Sequence, residues 1–118
     1  MIRGTGVDIT EVGRLRKAVE KWGDTFLNRI FTEEELRVAR TRAAMFQHLA
    51  GRFAAKEAVF KALGDKTLSF KDMEIMNDEE GKPVCRLHNG KGKKATVLVS
   101  ISHVKNYAVA NAVVTQGS

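Results

Sequence analysis

The chain has 118 residues, of which 43% are hydrophobic and 29% charged; this predicts one globular domain over residues 1–118 and excludes a disordered or fibrous protein. A cytoplasmic protein is expected, because no apolar run approaches the roughly 20 residues that span a bilayer, no secretory signal pattern follows Met1, and the single cysteine, Cys85, cannot form an internal disulfide. The net charge of +6 indicates an anionic partner, such as nucleic acid, a membrane surface, a phosphorylated ligand or an acidic protein.

The first predicted element is a strand, RGTGVDI, which ends at Asp8 and Ile9. Thr10 is the predicted N-cap of the helix that follows, and Gly23 ends that helix. One face of the helix repeats apolar residues at helical spacing and is expected to be buried: Val12, Leu15, Val19 and Trp22. The basic residues fall mostly off that face and are expected to be exposed: Arg14, Arg16, Lys17 and Lys21.

Two further helices are predicted in the first half of the chain. In FTEEELRVAR, Thr32 suits the N-cap and Glu35 can reach back to it, which is the capping-box pattern. A longer helix should cover about residues 43–63, with Gly64 just after its end. Gly51 interrupts this helix, so it marks a bend or a place where another backbone or a ligand comes close.

The second half of the chain changes to β-type patterns. SFKDMEIM and VCRLHN are joined by the turn NDEEGKP, and ATVLVSISH and YAVANAVV are joined by VKN. These pairs predict antiparallel hairpins. Because helices come first and hairpins second, the sequence predicts an α+β fold with N-terminal helices packed on an antiparallel sheet.

The long helix carries a carboxylate among cations, in the stretch GRFAAKEAVFKAL. Glu57 lies four residues before Lys61, and such a pair on a solvated surface is worth a few tenths of a kcal/mol. Alternatively, Glu57 is a ligand of a hard cation, with the neighbouring cations neutralising phosphate oxygens. Asp8 is the obvious second carboxylate, although locally it reads equally well as an N-cap or turn residue. Mg²⁺ needs only one or two protein carboxylates beside water and phosphate oxygens.

Charge is unevenly spread, and the central segment 36–63 is the part expected to face an anion. Glu57 is the acidic residue of this segment, and its cationic residues are Arg37, Arg40, Arg42, Arg52, Lys56 and Lys61. His103 ends an apolar strand, which suits either an exposed turn histidine or a phosphate contact. His48 is read as packed or solvated, and His88 is assigned no role. No Walker loop, nucleophile elbow or Cys/His metal cluster is present.

Three blocks, GTGVDITEVGRL, LAGRFAAKEAVFKAL and VSISHVKNYAVA, together resemble the holo-acyl-carrier-protein synthase type of 4′-phosphopantetheinyl transferase. The resemblance covers nearly the whole chain and implies the 4′-phosphopantetheinyl transferase fold. Enzymes of this family transfer phosphopantetheine from coenzyme A to a serine of apo acyl carrier protein and release adenosine 3′,5′-bisphosphate, in support of fatty acid biosynthesis. The resemblance further implies a homotrimer with active sites between subunits.

By the same resemblance, Asp8 and Glu57 would bind Mg²⁺, and Lys61 would contact a phosphate oxygen. Arg52 and His103 would contact the phosphates of the nucleotide, and Arg14 would contact the carrier protein. The general base stays open between a metal-bound water and a carboxylate, and Mn²⁺ suits the same oxygen ligands as Mg²⁺. The preferred carrier protein and the use of acyl-coenzyme A are not indicated.

The loop after Gly64 departs from the family pattern, because Asp65 and Lys66 stand where relatives often have another glycine. This puts cofactor contacts in that loop in doubt. Two other functional classes are compatible with parts of the sequence. A small basic nucleic-acid-binding module fits the charge, but aromatic residues do not alternate with basic ones as in a single-strand platform. An oligomeric scaffold that binds carrier protein without turnover would lack coenzyme A binding.

Overall fold

The structure, a computed structural model, describes residues 1–92 and 94–116. In this part of the chain a strand comes first, then the helices, then two hairpins. The helices are α1 (Val12–Trp22), α2 (Asp24–Ile30), α3 (Glu33–Arg40) and α4 (Met45–Leu63), followed by a short 3-10 helix (Phe70–Asp72). The strands are β1 (Ile2–Glu11), β2 (Met73–Asn77), β3 (Pro83–Leu87), β4 (Ala95–His103) and β5 (Tyr107–Gln116). The predicted α+β class, with helices packed on an antiparallel sheet, is confirmed.

The main sheet has the strand order β1-β5-β4, and all its neighbours are antiparallel. Strands β2 and β3 form a separate hairpin. Helix α4 lies across one face of the main sheet, and its small residues pack against the inward side chains of β4 and β5. None of the helices described is long and apolar enough to cross a membrane.

Strand β1 and helix α4 touch through their backbones. A Cβ atom placed on Gly6 would lie 2.0 Å from the carbonyl oxygen of Ala58, and one on Gly4 would lie 2.1 Å from that of Ala62. No side chain fits at such distances, so these two glycines are required by the close approach. Gly51, in the first half of α4, has a side-chain neighbour instead, because a Cβ there would lie 2.9 Å from Cγ2 of Ile101 on β4. The close neighbour of Gly51 is thus a side chain of β4 and not the backbone or ligand that was predicted.

The predicted first strand is too short. It continues to Glu11, because Thr10 pairs with Ala108 and Glu11 with Tyr107 across β1 and β5. Thr10 is therefore a strand residue and not an N-cap, and Asp8 lies inside the strand rather than at its end. Long-range pairing with β5, which local patterns do not reveal, causes both errors.

The first helix also differs from its predicted packing. Val12 and Leu15 are buried, but Trp22 is 58% exposed and lies beneath the ammonium group of Lys21, 4.9 Å from the ring centroid. Gly23 adopts a positive φ of 57° and ends α1 as predicted. A further helix, α2, then begins at Asp24, where no helix was predicted.

The capping box at the start of α3 is confirmed. The Glu35 backbone amide donates to Thr32 Oγ1 at 3.2 Å, and the Thr32 amide donates to Glu35 Oε1 at 2.8 Å. The Thr32 hydroxyl also donates to Glu74 Oε2 at 2.7 Å, which joins α3 to β2.

Replacing Thr32 with alanine removes the cap acceptor and the bond to Glu74. We expect a loss of about 1–2 kcal/mol in the free energy of unfolding. Urea denaturation at one fixed protein concentration measures this loss. Thr32→Ser keeps the hydroxyl and should stay within about 0.5 kcal/mol of the parent. Equal losses in the two variants would contradict a capping role.

Candidate active site

Two carboxylates from distant parts of the chain meet at one cavity. Asp8, on β1, faces α4, and Glu57, on α4, lies beside it; both line a cavity of about 430 Å³. Burial, and secondly the charge of Asp8, raise the pKa of Glu57 above its ordinary value, while Lys61 opposes the shift. Two like charges at one cavity repel each other, and a bound cation would relieve this repulsion.

Both oxygens of Asp8 have neighbours that orient the carboxylate. The Thr10 hydroxyl donates to Oδ2 at 3.0 Å, and Lys61 Nζ lies 3.4 Å from Oδ1. Lys61 Nζ also donates to the carbonyl oxygen of Val7 at 2.9 Å. Among the residues described, Lys61 forms an ion pair within 4 Å with Asp8 and not with Glu57. The simple surface pair between Glu57 and Lys61 is therefore not formed.

This pair of carboxylates fits the donor set of Mg²⁺. The described residues contain no group of three His, Cys, Asp or Glu side chains that could enclose a metal. A zinc-type site is thereby disfavoured, whereas Mg²⁺ keeps several waters and takes substrate phosphates beside one or two carboxylates. Asp8 and Glu57 are the two residues here that would hold the ion.

The rest of the cavity combines one cation and two polar residues of β1, Thr10 and Glu11, with apolar walls. Arg14, on α1, lines it, so the structure brings Arg14 together with Asp8 and Glu57. The apolar lining comes from several elements: Ile9, Leu15, Ala18, Phe26, Phe53 and Tyr107. An uncharged chain could lie along these walls while its charged end meets the carboxylates and a bound cation.

Arg52 and His103 do not line this cavity. Arg52 is 7% exposed, and its Nη2 donates to Asn77 Oδ1 at 2.7 Å. His103 ends β4, at the edge of the main sheet opposite β1. The two residues predicted to contact the phosphates of the nucleotide thus belong to a second group, separate from Asp8 and Glu57.

His48, which was predicted to be packed or solvated, lies near this second group. Burial, and after it the charges of Arg52, Arg42 and His103, together lower the pKa of His48 to about 4. The i, i+4 spacing of His48 and Arg52 on α4 was a signal in the sequence that was not used. The guanidinium groups of Arg42 and Arg52 favour an anion in this region.

Lys56 was expected to contribute to an anion-facing segment, and the structure corrects this. Its side chain is fully buried and donates to Glu35 Oε1 at 2.6 Å and to the carbonyl oxygens of Ile30 and Phe70 at 2.8 and 3.2 Å. Glu35 Oε2 in turn accepts from the Ile75 amide at 2.7 Å. Lys56 therefore joins α4 to its neighbours and does not face a ligand. Helix α4 is apolar on several sides, so periodicity alone did not reveal the burial of this lysine.

Comparison with known proteins gives a consistent result. The sequence model of the 4′-phosphopantetheinyl transferase superfamily matches residues 4–112. The holo-[acyl-carrier-protein] synthase of Thermodesulfovibrio yellowstonii is 49% identical over 116 residues, which cover 98% of this chain and 100% of the relative.

Solved structures agree with the sequence comparison. The holo-(acyl-carrier-protein) synthase of Bacillus anthracis, in complex with CoA (3′,5′-ADP), has a TM-score of 0.86 and 41% identity, over 100% of this chain and 99% of that chain. The holo-[acyl-carrier-protein] synthase of Neisseria meningitidis has a TM-score of 0.90 and 33% identity, over 98% and 100% of the two chains.

Proposed function

This chain belongs to the 4′-phosphopantetheinyl transferase superfamily, in the family of the holo-[acyl-carrier-protein] synthases, and we propose that it transfers phosphopantetheine from coenzyme A to a serine hydroxyl of apo acyl carrier protein. The leaving group is adenosine 3′,5′-bisphosphate. The proposal places the chain in the cytoplasm, where it supports fatty acid biosynthesis. The observation that carries it is the meeting of Asp8 and Glu57 at a cavity that also contains Arg14.

Asp8 and Glu57 would hold Mg²⁺, and the ion, when bound, would supply charge compensation for the pyrophosphate of coenzyme A. Transfer of a phosphoryl-type group requires mainly that the protein orient both reactants and compensate charge. The Thr10 hydroxyl and the Lys61 ammonium group keep Asp8 oriented. Lys61 is exposed, and its one remaining N–H group can turn toward a phosphate oxygen.

The pantetheine arm and the carrier protein suit the other parts of the cavity. The apolar walls can take the uncharged pantetheine arm. Arg14 lines the cavity from α1, and the helix exposes further cations: Arg16, Lys17 and Lys21. Acyl carrier proteins are strongly acidic, so this surface would speed and orient their approach.

A direct test uses the carrier protein as the reporter. The protein is mixed with coenzyme A, Mg²⁺ and an apo acyl carrier protein, and the carrier protein is then weighed by mass spectrometry. A gain of one phosphopantetheine supports the proposal. No gain with several apo carrier proteins would contradict it, and binding to nucleic acid without any transfer would favour the basic-module alternative.

We propose further that the active form is a homotrimer with its sites between subunits. The main sheet has one face covered by α4, while its other face exposes large apolar side chains: Val7, Ile9, Leu98, Tyr107 and Val109. Such a face indicates a partner surface. In a trimer, the group of Arg52 and His103 from one subunit could complete the cavity of Asp8 and Glu57 in the next.

Mixing two inactive variants tests the shared site. Trimers assembled together from Asp8→Ala and Arg52→Gln should regain part of the activity, because some of their sites combine an intact Asp8 with an intact Arg52. Asp8→Ala assembled with Glu57→Ala is the matched control and should stay inactive, since both changes affect the same half. Light scattering gives the mass of each assembly. An assembly of parental mass without regained activity would contradict a site shared between subunits.

A further inference from the structure

Arg52 is buried with few of its hydrogen-bonding groups satisfied. It is 7% exposed, and in the part of the chain described its side chain makes one hydrogen bond, from Nη2 to Asn77 Oδ1 at 2.7 Å. Its Nε is buried without a partner among these residues. The same residues place no carboxylate within ion-pair distance of the guanidinium group. The positive charge is thus oriented by a neutral amide and is not compensated.

An arrangement of this kind is costly in the free protein. A guanidinium group has five N–H donors, and buried donors without acceptors destabilise the folded state. Burial lowers the pKa of Arg52, and the charge of Glu35 only partly opposes this. An anion brought by a ligand would supply both the missing acceptors and the missing charge, and a phosphate group matches the planar guanidinium fork.

The residue at position 77 decides whether that charge remains available. The asparagine oxygen fixes the direction of Nη2 without neutralising it. Aspartate has nearly the same shape, but at this exposed position it would form a partly buried ion pair with Arg52 and would compete with an incoming phosphate.

We propose that Asn77 is a positioning residue that holds Arg52 uncompensated for the 3′-phosphate of coenzyme A, and that it thereby sets the preference for coenzyme A over its dephosphorylated form. The proposal rests on the proposed function, in which Arg52 contacts the nucleotide. The 3′-phosphate is the group concerned, because the pyrophosphate is assigned to the cavity of Asp8 and Glu57, which Arg52 does not line.

The test is Asn77→Asp in the assembled protein, with calorimetric titration of coenzyme A and of dephospho-coenzyme A. We expect the Kd for coenzyme A to rise at least about tenfold, while the Kd for dephospho-coenzyme A stays within about twofold. The melting temperature should not fall, because the new ion pair compensates a buried charge. A purely structural role predicts instead that stability and both affinities decline together.

Two further variants complete the experiment. Asn28→Asp makes the same charge change at an exposed position on α2 and should leave both Kd values unchanged. Arg52→Gln should lose the preference for coenzyme A; if it keeps the preference, the assigned role of Arg52 in the proposed function is wrong. If Arg52→Gln loses the preference while Asn77→Asp keeps it, or if Asn77→Asp weakens both ligands equally, the role of Asn77 is overturned.

Discussion

Asp8→Ala and Glu57→Gln are each expected to lower kcat/KM for carrier-protein modification by roughly a thousandfold, equivalent to about 4 kcal/mol of transition-state stabilisation. Each change removes one of the two carboxylates that would hold Mg²⁺ at the shared cavity. Neither side chain belongs to the buried core, so both variants should fold. The rate of mass gain of the carrier protein, measured over a series of Mg²⁺ concentrations, gives the effect.

Glu20→Gln is the matched control, because this exposed carboxylate on α1 lies outside the cavity. Its activity should stay close to that of the parent protein. Full activity of both Asp8→Ala and Glu57→Gln at saturating Mg²⁺ would contradict their assignment as ligands of the ion. Circular dichroism and the melting temperature show whether a loss of activity comes from the missing carboxylate or from unfolding of the variant.

The second large effect concerns stability. Lys56→Met is expected to lower the free energy of unfolding by about 3–5 kcal/mol, because it leaves the carboxylate of Glu35 buried without its counter-charge. The carbonyl oxygens of Ile30 and Phe70 lose their donor at the same time. Urea denaturation, followed by far-ultraviolet circular dichroism at a fixed protein concentration, measures the loss.

Lys17→Met provides the comparison, since this lysine is exposed on α1 and its loss should cost less than about 0.5 kcal/mol. The double variant Lys56→Met with Glu35→Gln removes both charges together and should recover part of the stability. If Lys56→Met were no less stable than Lys17→Met, the buried pair would not join these elements as described.

Local signals were sufficient for much of the fold. The capping box at Thr32, the helix end at Gly64 and the strand pairing of the two hairpins each depend on neighbouring residues, and the structure confirms them. The predicted strand SFKDMEIM is too long, because Phe70–Asp72 form a 3-10 helix and the strand begins at Met73. The length of β1 and the exposure of Trp22 depend on which distant segments pack against them. Those predictions were wrong for that reason.

At the site, too, some features could be predicted from neighbouring residues and others depend on distant segments. Asp8 and Glu57 are 49 positions apart, and spacing alone left each of them open to an ordinary structural reading. The resemblance to a family paired them, and the fold places them at one cavity. The burial of Lys56 could not be inferred from α4, since its partners come from α2, α3 and the 3-10 helix.

The backbone contact between β1 and α4 has a consequence for how this protein tolerates sequence change. Gly6 precedes Asp8 by two residues, and its partner Ala58 directly follows Glu57. The distance between the two carboxylates is therefore set by main-chain atoms. Substitutions that change the volume of core side chains should affect it little. Many hydrophobic exchanges elsewhere should accumulate without moving the site. At Gly6, by contrast, even the smallest substitution would force the strand and the helix apart and separate the two carboxylates.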